Sequence, residues 1–183
     1  GCTESNKIHD VANELICKNG FGKFHDASAE KEITFDIMWN AQDEPEVNVP
    51  IKAKIDRFLI DHQEKTITLI DLKTTAKPLG LFVETVAIYH YYRQLAWYRM
   101  CLATEYPDYE ITEAYIVAVQ TNKEYPCDVF KIDESYLKAG VKEYEALLDR
   151  IAFHMARSNW GNSMETQLGC IHNLVLADDS TNV

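Results

Sequence analysis

The sequence predicts an α/β (α+β) sandwich, one mixed central β-sheet flanked by helices. Three observations predict it. Three strand-like runs follow one another between residues 32 and 75, joined by polar turns. Two more strands come after a helix-length amphipathic segment. Helical periodicity brackets the whole at both ends.

The first helix is read over residues 6–18, where Ile8, Val11, Ala12, Leu15 and Ile16 recur at helical spacing. The glycines of "NGFG" stop it. Residues 32–39 alternate Ile33, Phe35, Ile37 and Trp39 as a strand should, and "NAQDEPE" is a polar turn. Residues 47–61 form the second strand, "HQEK" a tight turn, and residues 66–75 the third, so 32–75 reads as an antiparallel meander. Pro78 and Gly80 mark a loop. A helix is expected from about Val86 to Leu102, with Tyr91, Leu95, Tyr98 and Leu102 on one apolar face. Strands at 111–121 and 127–133 and a long amphipathic helix at 134–160 complete the order. One domain over 1–165 and a weakly patterned tail over 166–183 account for the 183 residues.

Composition narrows the function. Five cysteines (Cys2, Cys17, Cys101, Cys127, Cys170) are odd in number and never spaced C-x-x-C, which argues against a disulfide framework or a zinc knuckle. No apolar run is long enough for a membrane span, and "GCTESNKIHD" has neither the basic nor the apolar part of a secretory signal. A cytoplasmic protein without membrane contact is the expectation. The net charge of −11, taken alone, speaks against a nucleic-acid binder, yet it suits acidic residues that hold a divalent cation, and any basic surface would then have to be local.

The stretch that carries chemistry is "TITLIDLKTT" (66–75). It is apolar until it sets Asp71 and Lys73 two residues apart, on one face of the strand. If the turn at 61–65 closes a hairpin, Asp56 falls almost opposite Asp71, with Cβ atoms about 5 Å apart. Two carboxylates that close repel unless one is neutral or a cation lies between them. A hard ion such as Mg²⁺ prefers such oxygen ligands, and the backbone carbonyl of Leu72 is placed to add one. The Lys73 ammonium can orient an attacking water or offset charge that develops on a phosphate.

"KIDRFLID…TLIDLKTT" followed by "YYRQLAWY" resembles the RecB-like branch of the PD-(D/E)XK nuclease superfamily. That resemblance rests on Asp56, then Asp71 and Lys73, then Gln94 and Tyr98 on a helix, in that order, and covers roughly residues 5–160. It implies a restriction-endonuclease-like core and a phosphodiesterase acting on DNA with Mg²⁺ or Mn²⁺. Asp56 and Asp71 would ligate the ion and Lys73 would position the water. Gln94 and Tyr98 would orient the site or touch the strand, with Arg93 and Thr74 as further DNA contacts. "KIHDVANELI" is similar to a segment that carries a histidine ligand in many members, so His9 is a candidate third ligand, with Glu14 and Glu32 as alternatives. No cysteine spacing for an iron–sulfur cluster is present, and none is expected.

The segment after Tyr98 resembles, more weakly, the phage-type recombination exonucleases of the RecE and lambda group. That implies 5′→3′ digestion of double-stranded ends in recombination or repair, a strand-annealing partner and a homo-oligomer. Two other readings stay open: a catalytically inactive DNA-binding relative or an endonuclease with the same site, and an acidic cytosolic domain with no nucleic acid involved. Tyr89, Tyr92 and Trp97 can stack on bases or serve as core and rim packing, and His90 and Arg93 can contact phosphates.

Overall fold

The computed structural model describes residues 6–7, 10–11, 28–122 and 124–160. His9 and Glu14 lie outside these residues, and residues 6–7 and 10–11 are helical. Strands β1 (Ser28–Trp39), β2 (Val47–Asp61) and β3 (Thr66–Thr75) precede helices α1 (Phe82–Ile88) and α2 (Tyr91–Glu105), then β4 (Glu110–Gln120), β5 (Cys127–Lys131) and helix α3 (Glu134–Ala156). The five strands make one sheet in chain order. β1, β2 and β3 pair antiparallel, β3 and β4 parallel, and β4 and β5 antiparallel. The expected mixed sheet and meander are both present.

The β2–β3 hairpin is set by its turn. Asp61 Oδ1 accepts from the backbone of Gln63 at 2.9 Å and of Glu64 at 3.1 Å, the local bonding that lets Asp replace a ladder rung. Lys65 then closes the turn with φ of 52°. The register that results runs from Asp61↔Thr66 to Arg57↔Ile70, where the main-chain ladder ends; continued one step it would set Asp56 opposite Asp71, as the symmetry of the turn predicts.

Ile33, Ile51, Ile55, Ile67 and Leu69 build the main core with Leu95, Leu102, Leu137 and Leu148 from α2 and α3. A second, smaller cluster of Leu59, Ile70, Val117 and Val119 lies apart from it. Asp71 and Lys73 continue the alternation of Ile67 and Leu69, so they sit on the helix-covered face. β2 changes phase as it reaches Asp56. Its odd positions up to Ile55 join the main core, but beyond it Phe58 does so and Leu59 joins the second cluster. That switch lies opposite Glu30, whose φ of 33° is off the usual strand conformation.

The helix expected over 86–102 is two helices. His90 adopts the left-handed conformation, φ 54° and ψ 40°, and divides α1 from α2. Uniform helical propensity across this stretch gave no sign of the break; side-chain bonds from His90 to Tyr92 and Glu143 hold it instead. α2 packs closely on α3 at Gly140, where an added Cβ would meet the Tyr92 carbonyl oxygen at 2.6 Å and the Ala96 Cβ at 2.8 Å. α3 is capped by Asp133, which accepts from the Ser135 backbone at 2.8 Å. Cys101 and Cys127 are unbridged. No described helix is long and apolar enough to cross a membrane.

Candidate active site

The hairpin and the phase switch of β2 bring Asp56 to Asp71. Asp56 Oδ2 accepts from the Leu72 backbone N–H at 3.0 Å, taking the place of a main-chain rung where the β2–β3 ladder has ended at Arg57↔Ile70. Residues of an antiparallel rung direct N–H and C=O to the same neighbour. The Leu72 carbonyl therefore faces the Asp56 side as well.

Asp71 is 1% exposed. The Lys73 Nζ stands 2.6 Å from its Oδ2. Apart from that ion pair, neither Asp71 oxygen has a hydrogen-bond partner from the backbone or a hydroxyl among the described residues. Burial pushes the Asp71 carboxyl up to about 6; Lys73 pulls it back down, and Asp56 pushes it up further. A buried carboxylate with open lone pairs, a second carboxylate beside it and a carbonyl facing the same way fit a hard divalent cation, which takes oxygen ligands. Among the described residues no cluster of three His, Cys, Asp or Glu side chains completes that shell. Glu32 does not complete it. It lies exposed on β1 and pairs with Lys52 at 3.0 Å, because the β1–β2 register sets Glu32 opposite Lys54 and next to Lys52, away from Asp71.

α2 covers the pair. Gln94 Nε2 donates to the Tyr98 hydroxyl at 2.8 Å. Burial raises the Tyr98 hydroxyl above its usual range, the Gln94 bond lowers it, and the charges of Asp71 and Asp56 raise it again, so the ring lies within reach of both acids. The sequence reading places Tyr91 on the apolar face of the helix and gives it no part in the site. Its ring receives the Lys73 ammonium 4.9 Å from the centroid, a cation–π contact. Its spacing of three from Gln94 and seven from Tyr98, one helix face, is the signal that would have found it.

Other expected contacts fall elsewhere. The Arg93 guanidinium pairs with Glu143 of α3 at 3.3 Å. His90 meets the same carboxylate at 3.0 Å. Tyr92 donates to Glu143 and rests against Tyr136, and Trp97 meets Tyr144 edge-on. These side chains tie α2 to α3, one helix face away from the acids. Thr74 is exposed on β3, on the opposite side of the strand from Asp71 and Lys73.

The solved structure of a "Putative exonuclease" from Eubacterium rectale is similar over 96% of this chain and 63% of its own, with a TM-score of 0.61 and 12% identity. At that identity the likeness is one of fold. The chain thus spans less than two thirds of that protein's length. The structure of SSO0001 matches 78% of this chain and 58% of its own at 17% identity, with a TM-score of 0.41, too low to carry an argument. No curated protein matches significantly. Residues 6–172 match a family model described as a PDDEXK-like domain of unknown function, DUF3799. The paired carboxylates and the lysine that follows stand in the mixed sheet where the sequence resemblance put them, and the chain belongs to this PDDEXK-like family, within the PD-(D/E)XK nuclease superfamily.

Proposed function

We propose that the protein is a Mg²⁺- or Mn²⁺-dependent deoxyribonuclease that hydrolyses phosphodiester bonds at DNA ends, in the style of the RecB-like and phage-type recombination exonucleases. One observation carries the reading: Asp71 is buried beside a second carboxylate, ion-paired with a lysine at 2.6 Å, and neither of its oxygens has a further hydrogen-bond partner among the described residues. A purely structural acid in such a place would gain a hydrogen bond or be replaced by an apolar residue.

Asp56, Asp71 and the Leu72 carbonyl would hold the cation, which would supply charge neutralisation and an activated water. His9 remains the candidate for a further ligand. The chain's own groups do the rest. The Leu72 N–H fixes the Asp56 carboxylate. The Lys73 ammonium, 17% exposed at the edge of the pair, orients the attacking water and offsets the charge that gathers on the phosphate oxygens. Water oxygen bonds to phosphorus as the bond to the leaving sugar oxygen breaks, and that oxygen leaves with a proton. The Gln94–Tyr98 pair keeps bulk water from the helix side of the acids.

The test is digestion of linear and covalently closed double-stranded DNA in Mg²⁺, Mn²⁺ or EDTA, with Lys73→Ala alongside. Metal-dependent loss of linear DNA alone, abolished in the variant, is the expected result. Cleavage of the closed circle would make the protein an endonuclease with the same site. Retention of DNA without digestion would make it a binding module, and no retention at all would end the nucleic-acid reading.

A further inference from the structure

We propose that Tyr89, backed by Tyr91, is the stacking platform for the base of a single-stranded DNA terminus, and that the substrate is therefore a frayed or single-stranded end. The inference rests on the nuclease reading and adds the form of DNA the site accepts. Tyr89 is 61% exposed. Its ring lies 5.8 Å from that of Tyr91 at an interplanar angle of 19°. Tyr91 in turn receives the Lys73 ammonium and leans on Phe82, which is fully buried. A row of rings thus runs from the core, past the lysine beside Asp71, to solvent.

The row exists because the helix breaks. In a continuous helix, residues two apart point to different sides and cannot stack. The left-handed His90 between the two tyrosines turns them side by side. A non-glycine residue in that conformation costs on the order of 1 kcal/mol and persists only where its surroundings hold it. Here Tyr92 and Glu143 hold it, both through the imidazole Nδ1. Beyond Tyr89 opens a groove of about 470 Å³, lined by Tyr91, Gln94, Trp97, Leu147 and Ile151 among others. That is room for a nucleobase, with apolar walls.

Charge favours the same occupant. Sequence-independent duplex binding draws its affinity from phosphate contacts with Lys and Arg. This chain has 18 basic residues against 29 acidic ones, and Lys31, Lys52, Lys54, Arg93, Arg99 and Lys131 are paired with carboxylates. Stacking of a base on an aromatic ring is sequence-tolerant and contributes about 1–3 kcal/mol per base without a phosphate contact. Inside a duplex both base faces are covered. At a terminus a face is free, and an unpaired base can in addition leave the stack to lie on Tyr89, which a paired one cannot do without fraying.

The test uses a single-stranded oligonucleotide with 2-aminopurine at its ends, and its partner of equal length whose terminal nucleotides lack bases. Binding of both strands is followed in EDTA by the anisotropy of an internal dye they share, with 2-aminopurine quenching read on the intact strand, and cleavage is followed in Mn²⁺. The wild type and Tyr89→Phe are expected to quench the terminal base and to bind the intact strand at least about fivefold more tightly than the abasic one. Tyr89→Ala is expected to lose that preference. Equal binding of the two strands by the wild type, or an undiminished preference in Tyr89→Ala, with Mn²⁺-dependent cleavage intact, would overturn the stacking assignment alone. Neither binding nor cleavage of either strand would overturn the nuclease reading, and this one with it.

Discussion

The backbone N–H of Leu72 donates to the side chain of Asp56, 3.0 Å away. A carboxylate thus finishes a ladder that main-chain groups began, and in doing so is held beside Asp71. This predicts a split between two substitutions. Asp56→Asn keeps an acceptor for Leu72 and is expected to alter the stability of the metal-free protein by less than about 0.5 kcal/mol. Asp56→Ala leaves the N–H unmet and is expected to cost about 1–2 kcal/mol in urea unfolding. Both are expected to lose cation binding.

Asp71 predicts a gain. Its carboxyl is pushed up to about 6 from an ordinary 3.8, chiefly by burial. The folded protein therefore binds the proton more tightly than the unfolded chain. Without metal, the contribution of Asp71 to stability is most favourable below about pH 4, declines as pH rises towards 6, and stays lower above it. The full penalty is about 3 kcal/mol. Asp71→Asn removes it and is expected to stabilise the metal-free protein by about 1–3 kcal/mol at pH 8, with little effect at pH 4. Denaturant titrations at the two pH values check this. A loss of stability at pH 8 would contradict the burial argument.

The same shift sets a pH dependence for the cation. Protons and the ion compete for Asp71, so affinity is expected to weaken up to about tenfold per pH unit as pH falls through 6 and below. Titration of Mn²⁺ at pH 5, 6 and 7.5 measures it.

Lys73 separates binding from turnover. Lys73→Ala is expected to keep the cation, since the carboxylates remain, and to lower the cleavage rate by about 100-fold or more. Steady-state digestion beside the Mn²⁺ titration tests both halves. A variant that lost the ion as well would give Lys73 a structural role.

Gly140 predicts action at a distance. A methyl group there would stand 2.6 Å from the Tyr92 carbonyl oxygen and 2.9 Å from the Arg93 Cα. α3 would have to move off α2, which carries Gln94 and Tyr98. Gly140→Ala is expected to cost about 1–3 kcal/mol and to reduce cleavage without changing cation affinity. Thermal unfolding and digestion at one temperature below the transition check it.

Much of this was legible in the residues. The turn at Asp61 is local chemistry, so it fixed the hairpin and with it the meeting of Asp56 and Asp71. Their alternation along β3 placed Lys73 on the same face. Three features were not legible, each because a contact distant in sequence decided it. The break at His90 depends on Glu143, 53 positions away. Arg93, read as a DNA contact, and Tyr92, read as either a stacking or a packing residue, are drawn to the same carboxylate. Glu32, an alternative ligand, follows the β1 register to Lys52. The phase switch of β2 at Asp56 is hidden too, since its apolar pattern alone would turn Asp56 and Phe58 away from the core that holds Ile55.

The most direct measurement is calorimetric titration of Mn²⁺ into the wild-type protein, Asp56→Asn and Asp71→Asn at pH 7.5. The account predicts saturable binding in the wild type, abolished or weakened by at least about 100-fold in each variant while both remain folded. Binding unchanged by either substitution, or no binding by the wild type, would contradict the claim that these two carboxylates form a cation site.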